Sequence, residues 1–480
     1  MSIVTRFAPS PTGYIHIGNV RSAIFPYLVA RQKQGKFILR IEDTDRKRYV
    51  EGATELIEET LKWLGLNWDE GPDIGGPHAP YYQTQRQDLY LKYAKKLLDQ
   101  GRAYADPTSS DLIQQYREAD AKNKTAFLYR NHRPKLDVAW QKGISLRFKA
   151  DPKTRSYHDA VFGEQTLLPE TQDDIVLIKA DGLPTYNFAH IIDDLEMEVS
   201  HVFRGQEYLP SMGNYLALYE ALQITPPQFV HLPHILAPQG NKKLSKRDGA
   251  KSVNDYRHEG FLPEAILNFL ACLGWNDGST KELYSKDQLI QDFQIERIQR
   301  TPARFDEKKL IWLNGQWIRK LYLEDKAKLY EYSLNFWPSC ADRCSKADRI
   351  KVLDIIYDRL KTLSDLKTIT AYFFEEPSVD LKFLLDNKFI QKIQDVPLSQ
   401  LLDQSIARLE ALPEWTLESL TKTTNALLKE TGRKPAELFS LLRIALSFAP
   451  FSPALPETML TLGREVTIKR LQKTLNALQK

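Results

Sequence analysis

At 480 residues the chain exceeds one ordinary domain and predicts three or four. Its 42% hydrophobic and 27% charged content excludes a disordered or membrane-embedded chain, no run approaches the ~18 apolar residues that cross a bilayer, and "MSIVTRFAPS" lacks a signal-peptide core, so a cytoplasmic protein is expected. The net charge of +4 leaves any nucleic-acid surface to local clustering; Cys272, Cys340 and Cys344 are too few for a secreted disulfide framework, and the Cys340/Cys344 pair lacks nearby histidines to complete a zinc site.

Residues 3 to 7 predict a strand. The helical spacing of Val20, Ala23, Ile24, Tyr27 and Leu28 predicts a helix over 18–34, and "KFILRIE" from Lys36 predicts a second strand. This βαβ unit implies a doubly wound parallel sheet, an α/β fold with its ligand site at the carboxyl ends of the strands. Pro26 conflicts with the helix, because it removes a backbone bond and costs roughly 3 kcal/mol unless the surroundings absorb it. A helix over 53–64 precedes the Gly/Pro-rich loop "GPDIGGPHAP". From 82 to 185 the signals are mixed. "ISLRFKA" and "DIVLIKA" read as strands and 110–125 as a polar helix, which together predict an α+β domain inserted into the α/β domain. Strand signals resume at "VFRGQEYLP", followed by a helix near 211–223. Beyond Asn254 strands become rare. "FLPEAILNFLACLGW" opens with Pro263 in a first helical turn, and Ile468, Leu471, Leu475 and Leu478 form an apolar stripe, so the remainder is predicted all-helical.

Two stretches carry candidate chemistry. In "TGYIHIGN" a strand turns into a helix, so backbone N–H groups near Gly18 and the His16 imidazole both suit an anionic oxygen. Taken alone, His16 bonded within its own turn is an equal alternative. In "NKKLSKRDGA", Lys242, Lys243, Lys246 and Arg247 lie between Gly240 and Gly249, the composition of a mobile loop closing over a polyanion; a solvated basic loop is the plainer reading.

Together the two stretches resemble the signatures of class I aminoacyl-tRNA synthetases: "PSPTGYIHIGN" looks like the His-x-Gly-His motif and "KLSKR" like the Lys-Met-Ser-Lys-Ser motif. With "RFAPSPTG", "RIEDTDR", "DGLPTYNFAHIIDD", "RGQEYLPS" and "FDEKKLIWLNGQWI" in the same order, residues 3–320 strongly resemble bacterial-type glutamyl-tRNA synthetases, and the helical remainder does so more loosely.

The resemblance implies ATP-dependent activation of L-glutamate to an adenylate and its transfer to the 3′-terminal adenosine of tRNA-Glu, with Mg²⁺ accompanying ATP. It implies a Rossmann-like catalytic domain (1–81 and 186–253), an inserted acceptor-end domain (82–185), a stem-contact helical domain (254–320) and an anticodon-binding region (321–480), acting as a monomer. His16, Lys243 and Lys246 are the expected catalytic residues, joined by Gly18 and Ser245 around ATP. Arg6, Ala8, Ser10, Glu42, Tyr186 and Arg204 are expected to hold glutamate: arginines offer carboxylates a bidentate fork, and Glu42 accepts from the ammonium. Arg46 in "EDTDRKRY" and Arg86 in "YYQTQRQDLY" lie among basic, aromatic and amide groups fit for a single-stranded acceptor end, with helix-surface charge over buried aromatics an equal alternative. Arg359 in "YDRLKTL" matches a family position associated with preferring tRNA-Glu to tRNA-Gln. "RAYADPTSSDL" lacks the cysteines with which many bacterial members bind zinc, so no structural zinc is expected. An enzyme that also charges tRNA-Gln and an inactive tRNA-binding paralogue remain as alternatives. The long helical end argues against a small nucleotidyltransferase, a truncated relative that glutamylates a tRNA base, or a glutaminyl-tRNA synthetase with terminal β-barrels.

Overall fold

The structure is a computed structural model that describes residues 2–13, 15, 17–135, 138–244, 251–449 and 452–480. The first strand, Val4–Phe7 (β1), is buried along its whole length, as befits a strand covered on both faces. Its two polar side chains are satisfied inside: the Thr5 hydroxyl donates to the Pro26 carbonyl at 2.8 Å, and Arg6 bonds Asp194. The helix Ile17–Gln32 (α1) runs through Pro26 without interruption. It packs on β1 and on the helix Pro263–Ala271, so tertiary burial absorbs the proline conflict.

In chain order follow Lys36–Leu39 (β2), Ala53–Trp63 (α2) and Gln87–Asp99 (α3); then Ala103–Asp106 (β3), Ser110–Lys122 (α4), Ser145–Phe148 (β4), Arg155–Asp159 (β5), Gly163–Leu167 (β6) and Val176–Ile178 (β7); and finally Tyr186–Glu196 (α5), His201–Gly205 (β8), Met212–Leu222 (α6) and Gln228–Leu232 (β9). The large sheet has the order β2-β1-β8-β9-β5-β6, parallel except for the β5–β6 hairpin. A separate antiparallel sheet, β3-β4-β7, forms the centre of the predicted insertion.

The predicted insertion, 82–185, is therefore not a self-contained block: β5 and β6 extend the large sheet. The reason is a pairing invisible in local sequence. Asp159 aligns with Phe229 of β9, and its buried carboxylate meets the His231 ring, 72 residues away. At the other end of the hairpin Arg155 pairs with Glu220 of α6 at 2.9 Å.

The chain forms two compact units, Met1–Tyr256 with Pro263–Leu310, and Arg257–Leu262 with Ile311–Lys480. The boundary falls inside the predicted 254–320 segment because α1 and the helix Pro263–Ala271 bury apolar faces against each other. In the second unit a core that includes Leu401, Leu420, Leu441, Leu471 and Leu475 is built by helices, among them Leu398–Glu410, Leu417–Thr431, Pro435–Ser447 and Arg464–Leu478. Thr416 and Ser419 form a capping box at the start of one of them, and Gly432, at φ 63°, ends it in the left-handed region. No helix among the described residues is long and apolar enough to cross a membrane.

Candidate active site

Parallel strands end at one edge, and the loops leaving β1, β2 and β8 converge there. They enclose a cavity of about 260 Å³ lined by Arg6, Ala8, Ser10, Glu42, Tyr186 and Arg204, the six residues expected to hold glutamate. Next to it lies a cavity of about 450 Å³ lined by Thr12, Gly18, Asn19, Glu207, His234 and Lys243, among others. The Lys243 ammonium donates to Glu207 at 2.7 Å. His16, Ser245 and Lys246, with Arg247 and Gly249 of the same basic loop, lie outside the described residues.

Beneath the first cavity runs a buried ionic network that the sequence reading missed. Asp194 takes the Arg6 fork at 3.0 and 3.2 Å and Arg40 at 2.8 Å; Arg40 also reaches Glu42 at 3.2 Å and Asp193 at 3.6 Å. Asp193 further accepts from Arg86, Gln83 and Tyr90. Burial alone would raise the Asp194 carboxyl, but Arg6 and Arg40 outweigh it and hold it well below the usual range. At Asp193 burial outweighs Arg40 and Arg86, and the carboxyl is raised. Two adjacent acids in the apolar helical run "FAHIIDD" were the available signal, since an acid is buried only when partners wait for it.

Arg6 therefore enters the cavity with three of its five N–H groups already used, two by Asp194 and one by the Phe203 carbonyl. Arg86, expected at a nucleic-acid surface, is buried instead. Its guanidinium bonds Asp193 and the carbonyls of His78 and Pro80, so it ties the 78–86 loop to α5 rather than facing outward. Arg46 is exposed, on a loop where Asp45 pairs with Arg48 at 2.7 Å. In the second unit Arg359 lines a cavity of about 400 Å³ with Lys361, Asp365, Ser452 and others, and donates to the Ser452 carbonyl at 3.1 Å.

Arg204 is different again. It is 5% exposed, yet no described carboxylate forms an ion pair with it. Its Nε donates to His231 Nε2 at 3.1 Å and its Nη1 to His190 Nε2 at 3.3 Å, while Tyr208 and Tyr215 stack near its charged carbon at 5.2 and 4.8 Å. Burial and the neighbouring Arg204 charge push the His190 imidazolium down to about 3, so the ring is neutral. The Arg204 Nη2 lies against the Met212 sulfur, so its described contacts are rings and sulfur rather than a carboxylate, an arrangement suited to an incoming anion. In the same cavity, burial pushes the Glu42 carboxyl up to about 7 against the pull of Arg40 and Arg6.

At "RAYADPTSSDL" the structure has Asp106 accepting from the Tyr129 hydroxyl at 2.7 Å and from Arg147 at 2.5 Å, with the Arg147 guanidinium 3.5 Å over the Tyr129 ring. Among the described residues no three His, Cys, Asp or Glu side chains gather as a metal site would require.

Comparison with known proteins supplies a family. Residues 2–312 match the model for the catalytic domain of class I tRNA synthetases (E and Q), and residues 327–475 match an anticodon binding domain. The chain is 42% identical to a glutamate–tRNA ligase of Dehalococcoides mccartyi over 473 residues, 97% of this chain and 96% of the relative. It is 39% identical to one from Clostridium botulinum over 477 residues, 98% and 97% of the two chains. A crystal structure of a glutamate tRNA ligase from Elizabethkingia meningosepticum, in complex with its amino acid, superposes with a TM-score of 0.88 at 33% identity over 100% of both chains. The glutamate-tRNA synthetase of Elizabethkingia anophelis superposes with a TM-score of 0.86 at 32% identity, covering 99% of this chain and 100% of the other. Motif order, a parallel sheet with a cavity at its strand ends, and these likenesses over nearly the whole length agree: the chain belongs to the glutamate–tRNA ligase family of class I aminoacyl-tRNA synthetases.

Proposed function

We infer that the protein activates L-glutamate with ATP and transfers it to the 3′-terminal adenosine of tRNA-Glu. The observation that carries this reading is Arg204, a buried cation without a carboxylate partner among the described residues, facing the same cavity as Glu42. A ligand with acidic and ammonium groups complements that pair, with Arg6, Ser10 and Tyr186 adding donors beside the Ala8 backbone. ATP, with its Mg²⁺, would take the adjoining cavity at the start of α1, where Gly18 and Lys243 lie and where helix N–H groups favour phosphate. In-line displacement at the α-phosphorus asks for positioning and charge neutralisation, which His16, Lys243, Ser245 and Lys246 are suited to supply. The exposed Arg46 loop would meet the acceptor end and the Arg359 cavity the anticodon, with discrimination against tRNA-Gln, by a monomer in the cytoplasm. No zinc enters the reading, because at "RAYADPTSSDL" Asp106 is already paired with Arg147, which is no zinc ligand.

The direct test is aminoacylation of total tRNA with labelled glutamate, followed by separation of the charged species. Charging confined to tRNA-Glu is the expected outcome. Appreciable glutamyl-tRNA-Gln would replace discrimination with dual specificity, and no charging at all would leave a binding protein.

Glu42 supplies a pH signature. Its ionised form makes the charge-assisted bond to an ammonium, so protonation competes with binding as pH falls through about 7, with Arg40, Arg6 and Asp194 as the facing charges. KM for glutamate is expected to be about tenfold higher at pH 6 than at pH 8, the proportion of one proton per decade. Glu42→Gln should bind glutamate less well with that slope removed; an unchanged slope in the variant would exclude Glu42 as its source.

A further inference from the structure

A buried arginine usually takes a carboxylate in direct contact, as Arg6 takes Asp194. Arg204 does not, although an acid stands one ring away. Asp159, 0% exposed, lies 2.5 Å from His231 Nδ1, and the other side of that ring, Nε2, accepts from Arg204 Nε. Asp159 is held in place by the N–H groups of Val161 and Phe162 at 3.0 and 2.9 Å, both on its other carboxylate oxygen. His190 repeats the pattern with a backbone group: its Nδ1 is 2.7 Å from the Tyr186 carbonyl, which can only accept, so Nε2 is left with its lone pair toward Arg204.

Both rings must be neutral here, because an imidazolium would aim N–H at a guanidinium N–H. The consequence is a division of labour between the two buried arginines of the cavity. Arg6 is neutralised on contact, while Arg204 donates to two neutral imidazoles and lies against the Met212 sulfur, with its counter-charge Asp159 held an imidazole's width away, near enough to make its burial tolerable.

We propose that Asp159 acting through His231, together with His190, are positioning residues that orient Arg204 and leave it without a direct carboxylate partner among the described residues, and that this spacer arrangement sets the cavity's preference for a carboxylate over a carboxamide. The inference rests on the reading of Arg204 as the glutamate anion's partner. It gives the β5–β6 hairpin a functional reason to join the large sheet, since that pairing alone brings Asp159 to His231.

The test compares His190→Glu with His190→Gln, which differ essentially in charge. Placing a carboxylate on Arg204 is expected to raise KM for glutamate about 100-fold or more above that of His190→Gln and to narrow the glutamate-over-glutamine ratio, with KM for ATP moving less than about threefold in either. Asp159→Asn, whose oxygen is claimed by the Val161 and Phe162 N–H groups so that its NH2 faces His231 Nδ1 and favours the proton on Nε2 against Arg204, should raise KM for glutamate about 10- to 100-fold by the same measure. Equal effects of Glu and Gln at position 190, or an ATP effect as large as the glutamate effect, would overturn the proposal. For variants that fail to fold, ¹⁵N NMR of histidine-labelled wild-type protein serves instead. Two rings unprotonated at Nε2 from pH 6 to 8 support the proposal, and fewer than two overturn it. Failure of the underlying reading looks different, because then the wild-type protein itself shows no response to glutamate.

Discussion

Arg204→Gln is expected to lower kcat/KM for glutamate by roughly 10²- to 10³-fold while changing KM for ATP by less than about threefold. Truncating one side of a buried, hydrogen-bonded charge interaction costs about 2–5 kcal/mol, and each 1.4 kcal/mol is a factor of ten. Arg204 stands at the upper part of that range because it is almost wholly buried and because, among the described residues, the neighbouring cations Arg6 and Arg40 are bound to Asp194. Glutamine keeps a donor but loses both the charge and the reach of the guanidinium. Arg204→Lys should recover only part of the loss, because a single ammonium cannot reproduce the fork that spans His190, His231 and a ligand oxygen. The measurement is glutamate-dependent pyrophosphate exchange in the presence of tRNA, with glutamate and ATP varied separately. Equal losses for both substrates would assign Arg204 to scaffolding instead.

His16→Ala and Lys246→Ala are each expected to lower the rate of the same exchange by about 10²- to 10³-fold, the usual consequence of removing one donor aimed at charge that develops in the transition state. Here the split is reversed: kcat falls, and KM for glutamate stays near its original value, because the proposed function has both residues act on the phosphates of ATP rather than on the amino acid. Exchange near the wild-type rate in either variant would remove that residue from the chemistry. Lys243 gives an internal comparison, since Glu207 competes for its ammonium at 2.7 Å and the lysine must leave that contact to act on a phosphate. The two classes of variant, one failing on glutamate binding and one on turnover, separate the cavities on either side of Glu207, which lines both.

What the sequence determined by itself was local or motif-borne. The period of Val20, Ala23, Ile24, Tyr27 and Leu28, the strand "KFILRIE" and the Pro263 helix start each report a preference a few residues long, and short-range sterics and burial decide such elements. The residues Arg6, Ala8, Ser10, Glu42, Tyr186 and Arg204, now gathered around one cavity, were nameable because they sit inside motifs whose order is itself informative. Tertiary structure decided the rest, through contacts between residues far apart in the chain. Pro26 stays in a continuous helix because its surroundings bury it. Arg86 turns inward because Asp193 waits 107 positions away, and β5 joins the large sheet because Asp159 finds His231. Charge shows the same limit. An arginine in a sequence is only a cation, and whether it is spent, as Arg6 largely is on Asp194, or kept available, as Arg204 is behind two neutral imidazoles, depends on distances that no local pattern encodes.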